Sequence, residues 1–199
     1  GDRLPYLDNV YLKKIVEETV RWTALRAGDM DIITSPPLKV TADAMLKEPV
    51  PGIFVDWENP GVLWIWFNCS KPPFDNKKVR QAIAYGVDKK EVLKAVFWGL
   101  GDTLNNQAFE KGSRFHIPMQ DREVDLSKAR QLLAEAGYPK GFGGGKFYPY
   151  QGGYWPYGEQ VANYWKAIGI TMETVLLDRP AWMAQREGRK MRGGFLLTR

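Results

Sequence analysis

At 199 residues, with a formal net charge of +5, 44% hydrophobic and 26% charged residues, the chain can fill a packed core and lacks the composition of a disordered segment. Its Lys and Arg are scattered among carboxylates instead of gathered in one run, which argues against nucleic acid as a partner. One cysteine, Cys69, and one histidine, His116, exclude an internal disulfide, a Cys-rich zinc site and a His-based metal cluster within the chain. No apolar run reaches the ~18 residues that a membrane-spanning helix needs.

In chain order, Asn9 to Val16 predicts a strand, its β-branched and aromatic residues partly alternating. A helix follows over Glu18–Ala27, with Gly28 suited to a left-handed stop. Asp31 to Thr34 predicts a short strand, Thr41 a cap for a brief helix to Lys47, and Ile53 to Trp57 another strand. Glu58-Asn59-Pro60-Gly61 is a turn cluster and marks the internal boundary, giving domains 1–60 and 61–199.

Val62 to Asn68 is nearly all apolar and suits a buried central strand. Asp75 is expected to cap a helix to Tyr85, and Asp88 with Glu91 forms a capping-box pattern for a second helix to Phe97. Asp102 to Glu123 has no period and predicts a long loop. Asp125 opens the most regular helix, with Leu126, Ala129, Leu132, Leu133 and Ala136 on one face.

Gly143-Gly144-Gly145 predicts a turn before a strand over Lys146–Tyr150. A helix over Tyr157–Ile168, a strand over Ile170–Leu177, a helix from Asp178 to about Gly188 and a strand at Phe195–Thr198 complete the pattern. Strands alternating with helices of these lengths argue for α/β layers with a parallel or mixed sheet.

Four blocks in order carry a resemblance. Asn68-Cys69-Ser70-Lys71-Pro72-Pro73-Phe74-Asp75-Asn76, continuing through Val79-Arg80-Gln81-Ala82-Ile83-Ala84-Tyr85-Gly86-Val87-Asp88, resembles the signature segment of the family 5 solute-binding proteins, the extracytoplasmic receptors of ABC importers. Pro5-Tyr6-Leu7-Asp8-Asn9-Val10 with the stretch from Glu18 to Ile32, the helix from Asp125 to Tyr138, and Tyr164–Ile170 followed by Gly194-Phe195 are similar to further parts of that family. The resemblance implies a two-lobed, periplasmic-binding-protein type II-like α/β fold with mixed sheets flanked by helices, present here as a fragment. Residues 1–60 would belong to lobe 1 and residues 61–199 to the first part of lobe 2. It also implies a non-catalytic receptor that captures an oligopeptide or dipeptide by lobe closure, works with a membrane permease outside the cytoplasm and needs no cofactor. Carbohydrate, opine and metal-chelate receptors occur in the same family and remain alternatives.

The strand entering the second domain would line the ligand cleft in such a receptor. Trp64 and Trp66 share one face and Ile65 and Phe67 the other, because side chains alternate along a strand. Either all four are core, or the tryptophan face meets the ligand together with Asn68 at the strand end. Tyr150, Gln151 and Tyr154 cluster at the end of a later strand, where α/β proteins place binding groups, although aromatic strand ends also cap cores. Trp182 divides in the same way between pocket and core. These residues, with Trp64, Trp66 and Asn68, are the candidate ligand contacts. His116 reads as a hydrogen-bonded surface residue, Cys69 as a small apolar group packed at the strand end, and the Arg186, Arg189, Lys190, Arg192 cluster as a solvated face. Two rivals of other classes stand open: a hydrolase using paired carboxylates, for which no acid–base frame is visible, and a basic nucleic-acid binder.

Overall fold

Helix starts in this chain are set by side-chain acceptors that satisfy the first free N–H groups. In the computed structural model, which describes residues 6–34, 38–47, 50–54, 63–104, 109, 113–119, 122–150, 155–187 and 194–197, four such caps are visible. The helices are α1 (Glu18–Ala27), α2 (Leu38–Leu46), α3 (Lys77–Tyr85), α4 (Lys89–Phe97), α5 (Leu126–Glu135), α6 (Trp155–Ala167) and α7 (Arg179–Glu187). Asn76, not Asp75, caps α3, its Oδ1 accepting from Lys78 N at 2.9 Å, so the helix starts a residue later than expected. Asp88 caps α4 through Glu91 N (3.0 Å) and Asp125 caps α5 through Lys128 N (2.7 Å), both as expected. Asp178 caps α7 through Ala181 N at 2.8 Å. The Glu91 carboxylate is taken by Lys94 at 2.8 Å, which lifts the Lys94 pKa.

The chain divides into two compact units, Gly1–Val55 and Asp56–Arg199. In the first, Asn9 to Val16 forms no strand: Val10, Tyr11, Leu12 and Val16 are all exposed and no ladder is made. Alternation alone does not create a strand, because the backbone groups need a neighbouring strand to bond. Arg21 instead donates through one guanidinium nitrogen to Ile15 O (2.8 Å) and Val16 O (2.7 Å). Asp31 to Thr34 is likewise irregular, and Ile53 and Phe54 form no strand, while residues 55–57 lie outside the described residues. α1 ends at Gly28 with φ 79°, the left-handed stop the sequence predicts. α2 begins at Leu38, so Thr41 lies inside the helix, buried, and is not its cap.

The second unit holds the main core. Val79, Ala82 and Ile83 of α3, Ala129, Leu132 and Leu133 of α5, and Val161 and Trp165 of α6 bury one face of each helix around Phe74, Phe147, Ile168 and Ile170. This is the 3–4 spacing of the sequence turned into packing. Lys78 of α3 reaches Glu135 of α5 at 2.9 Å and, as the largest cause, holds that carboxyl below its ordinary pKa. Both side chains are well exposed, so the pair adds little stability.

Two two-stranded sheets flank this core. β1 (Trp64–Phe67) runs antiparallel to β4 (Gly194–Leu197), and β2 (Phe142–Phe147) runs parallel to β3 (Ile170–Thr174) through the α6 crossover. Both parallel and antiparallel pairs are thus present, as a mixed α/β reading expects.

The triple glycine is strand rather than turn. Gly143 pairs with Thr171 and Gly145 with Met172, leaving Gly144 as the extra residue of a bulge. Gly144 is buried, Gly145 and Lys146 are both exposed, and Phe147 is buried, so the two-residue rhythm is broken at that point. That break is why alternation failed to reveal the strand. β2 ends at Phe147 and β3 at Thr174, each short of its expected end. At the start of the pair, Phe142 N donates to Gly169 O at 3.1 Å, and the two chains approach so closely that a Cβ on Gly141 would collide with Gly169 O.

Two predictions follow from this packing. Gly137 and Gly141 both have positive φ, 91° and 78°, but only Gly141 is crowded. Gly137→Ala is expected to cost about 1–2 kcal/mol, and Gly141→Ala clearly more, as read from urea midpoints. Burial pushes the Tyr157 phenol from 10 up to about 12. Between those values the unfolded chain has lost a proton that the folded one keeps, so stability falls as pH rises, by roughly 2 kcal/mol. Tyr157→Phe should flatten that part of the stability–pH profile.

Candidate functional site

β1 is short, and its direction is fixed at both faces. Ile65 and Phe67 pack against the main core, where Phe67 stacks on Phe74 (ring centroids 5.0 Å apart) and tilts against Trp165 (5.9 Å). Side-chain alternation then sends Trp64 and Trp66 to the other face. Their rings lie 6.1 Å apart, tilted by 47°, and Trp66 is 47% exposed. The register sets Leu197 opposite Trp64 and Phe195 opposite Trp66. Neither strand contains a charged residue. The result is an apolar ribbon face with two indoles, suited to stacking on planar or apolar groups and to donating through indole N–H.

Asn68 ends the strand. Its Oδ1 accepts from Ser70 N (3.1 Å) and Ser70 Oγ (2.6 Å), a local turn that leads the chain into Lys71-Pro72-Pro73 and delivers Phe74 into the core. The side-chain oxygen of Asn68 is therefore engaged in shaping the turn. Cys69 does not pack as an apolar group at the strand end: it is exposed, its Sγ 3.5 Å from Phe67 O. The turn formed by Asn68 and Ser70 carries that side chain outward.

The second group of candidates gathers after β2. Tyr148 is buried, and its carbonyl accepts the indole N–H of Trp182 at 3.1 Å. Trp182 on α7 is fully buried, among Tyr148, Val175, Leu177 and Met183. Tyr150 is half-buried, packs against both this small cluster and the main core, and meets the Trp182 ring edge to face at 5.1 Å and 86°. Among the expected contacts the structure thus brings together Trp64 with Trp66, and Tyr150 with Trp182. Gln151 and Tyr154 lie outside the described residues, as do Arg189, Lys190 and Arg192.

His116 bonds through Nδ1 to Phe109 O at 3.1 Å, beside the tilted Phe109–Phe115 pair. One feature was not anticipated from the sequence. A recess near the start of α4 is lined by Asp88, Lys90, Glu91, Lys94, Arg122 and Glu123. Most of its charges are engaged: Lys90 pairs with Glu123 at 3.1 Å, Lys94 with Glu91, Arg122 lies over the Tyr85 ring at 4.8 Å, and Lys89 beside them bonds Leu104 O at 3.1 Å. Only the through-space meeting of residues near 88 and 122 creates it, and no spacing rule signals that.

The mixed α/β fold is that of the type II periplasmic binding proteins. The structure superimposes on DppA of Helicobacter pylori, a periplasmic binding protein in complex with the peptide STSA, with a TM-score of 0.76 and 25% identity over 94% of this chain and 36% of that one. A dipeptide-binding protein of Pseudoalteromonas in complex with Met-Leu gives a TM-score of 0.74 at 25% identity, covering 92% of this chain and 36% of that one. In sequence the chain is 39% identical over 136 residues to heme-binding protein A of Haemophilus influenzae, covering 68% of this chain and 24% of that protein. It is 30% identical over 139 residues to the Escherichia coli dipeptide-binding protein, covering 69% and 25%. The model of the bacterial extracellular solute-binding proteins, family 5, matches residues 1–197, and the chain belongs to that family. It spans about a quarter to a third of the length of these relatives.

The two faces of β1 predict opposite responses to truncation. Trp66→Ala is expected to change stability by less than about 1 kcal/mol, whereas Phe67→Ala should cost about 3 kcal/mol, as measured by thermal or urea denaturation.

Proposed function

We propose that this chain supplies part of the ligand clamp of an extracytoplasmic receptor serving an ABC importer, and that its ligand is a short peptide. The observation that carries the reading is the strand β1, with Ile65 and Phe67 in the core and Trp64 and Trp66 turned off it. A core strand has no need of an indole pair turned off the core with Trp66 half exposed on an uncharged ribbon, whereas a cleft wall does. In this reading residues 1–60 belong to one lobe, the chain crosses near Gly61, and residues 61–199 begin the other. Trp64, Trp66, Asn68, Tyr150, Gln151 and Tyr154 line the cleft, with Trp182 beneath Tyr150. Contacts from both lobes favour the closed form, and the closed form is what a membrane permease recognises. Capture and release involve no bond making, and the receptor works outside the cytoplasmic membrane.

Peptide is the favoured class because neighbours of the same fold hold STSA and Met-Leu. The 39% identity to a protein named for haem supports a second reading, a planar tetrapyrrole on the same indole face.

Calorimetric titration of the protein carrying this chain with Met-Leu tests the first reading, and a Soret-band titration with haemin the second. Trp66→Ala should weaken whichever ligand binds by about tenfold or more while leaving the folded fraction unchanged. The 199-residue chain alone should bind Met-Leu far more weakly, since it spans only 36% of each peptide-bound neighbour and so part of each lobe. Sub-micromolar affinity for that chain alone would overturn the two-lobed mechanism.

A further inference from the structure

Trp182 and Tyr150 divide a task that the sequence alone assigns to both. Trp182 has no exposed surface, so it presents nothing to a ligand directly, yet its ring is the one Tyr150 leans on. We propose that Trp182 is a positioning residue that fixes the angle at which Tyr150 faces the ligand. The inference rests on the reading of Tyr150 as a cleft residue given above.

Three constraints converge on Tyr150. The indole of Trp182 cannot rotate freely, because its N–H donates to Tyr148 O at 3.1 Å within a buried cluster, and leaving that bond would strand a donor and an acceptor away from water. Its ring then offers Tyr150 an edge-to-face contact at 5.1 Å and 86°, a geometry that aromatic quadrupoles favour. Between the two tyrosines, Pro149 is fully buried and limits the backbone to a narrow range of φ. Helix α6 leaves room for that proline only because residue 158 is glycine, since a Cβ there would lie 2.6 Å from Pro149 Cγ. Tyr150 is thereby held through its ring by α7 and through its backbone by the Pro149–Gly158 contact.

A tyrosine already held in one rotamer loses less freedom when a ligand arrives, so the clamp improves affinity without touching the ligand. Truncating the anchor should therefore weaken binding by about three- to tenfold, acting through Tyr150.

The test uses the protein carrying this chain, ring-labelled at tyrosine, with Met-Leu as probe and the variants Trp182→Phe, Trp182→Leu and Tyr150→Ala. Trp182→Phe retains an aromatic ring but not the N–H donor, and serves if Trp182→Leu fails to fold. In the wild type the Tyr150 ring resonances should be displaced by the indole, and Trp182→Phe should shift them and increase ring mobility. Met-Leu affinity should fall about three- to tenfold in Trp182→Phe, and fall no further when that change is added to Tyr150→Ala. A role confined to general stability would weaken both backgrounds equally. Tyr150 resonances that stay in place in the folded Trp182 variants would overturn the inference. Resonances that move while Tyr150→Ala leaves Met-Leu affinity intact would uphold the positioning and sink the placing of Tyr150 in the cleft instead. If Met-Leu does not bind, the resonances alone decide.

Discussion

The stack of Phe67 on Phe74 and against Trp165 is the contact that sets which way β1 faces in the second unit. It pins one face of a four-residue strand to the core, and the geometry of a strand leaves the other face no choice. Trp165 is in turn set against Phe147 of β2 at 5.3 Å, so the same indole reaches from the entering strand to the parallel pair. The core thus orients β1, and β1 orients the tryptophans. On the proposed reading, binding surface and hydrophobic core are two sides of one ribbon, and the core side holds the apolar wall in place.

Much of this was legible from residues alone. The helices α3, α4 and α5 announce themselves by caps and spacing, because a cap is a local chemical need that neighbouring residues satisfy. Gly28 as a stop is legible for the same reason. The strands were harder to read. Asn9 to Val16 has strand-like composition but makes no ladder, because pairing depends on a partner that composition does not describe. The glycines from Gly143 to Gly145 look like a turn, yet backbone pairing with Thr171 and Met172 makes them strand.

At the candidate site the split is similar. The shared face of Trp64 and Trp66 follows from the two-residue period and was open to view. The different fates of Tyr150 and Trp182 were not, since both are aromatic residues near a strand end or helix start. What holds Trp182 in the buried cluster is a hydrogen bond from its indole to Tyr148 O, between residues 34 positions apart. Asn68, expected beside the tryptophans, is bound to Ser70 in shaping the turn. A short polar side chain next to a proline turn commonly bonds its own backbone neighbours, and the sequence carried that hint.

The bulge at Gly144 has a consequence for how this lineage can vary. The surplus residue lets Phe142 and Phe147, five positions apart, turn to the same side of the strand. Loss of that one residue would leave the two rings four positions apart, still on one face of a now regular ladder, with Lys146 still opposite Glu173 and outside. The glycine run is thus a place where the backbone can shed a residue without turning the strand inside out, whereas the same loss within α5 would rotate Leu132 and Leu133 away from the core.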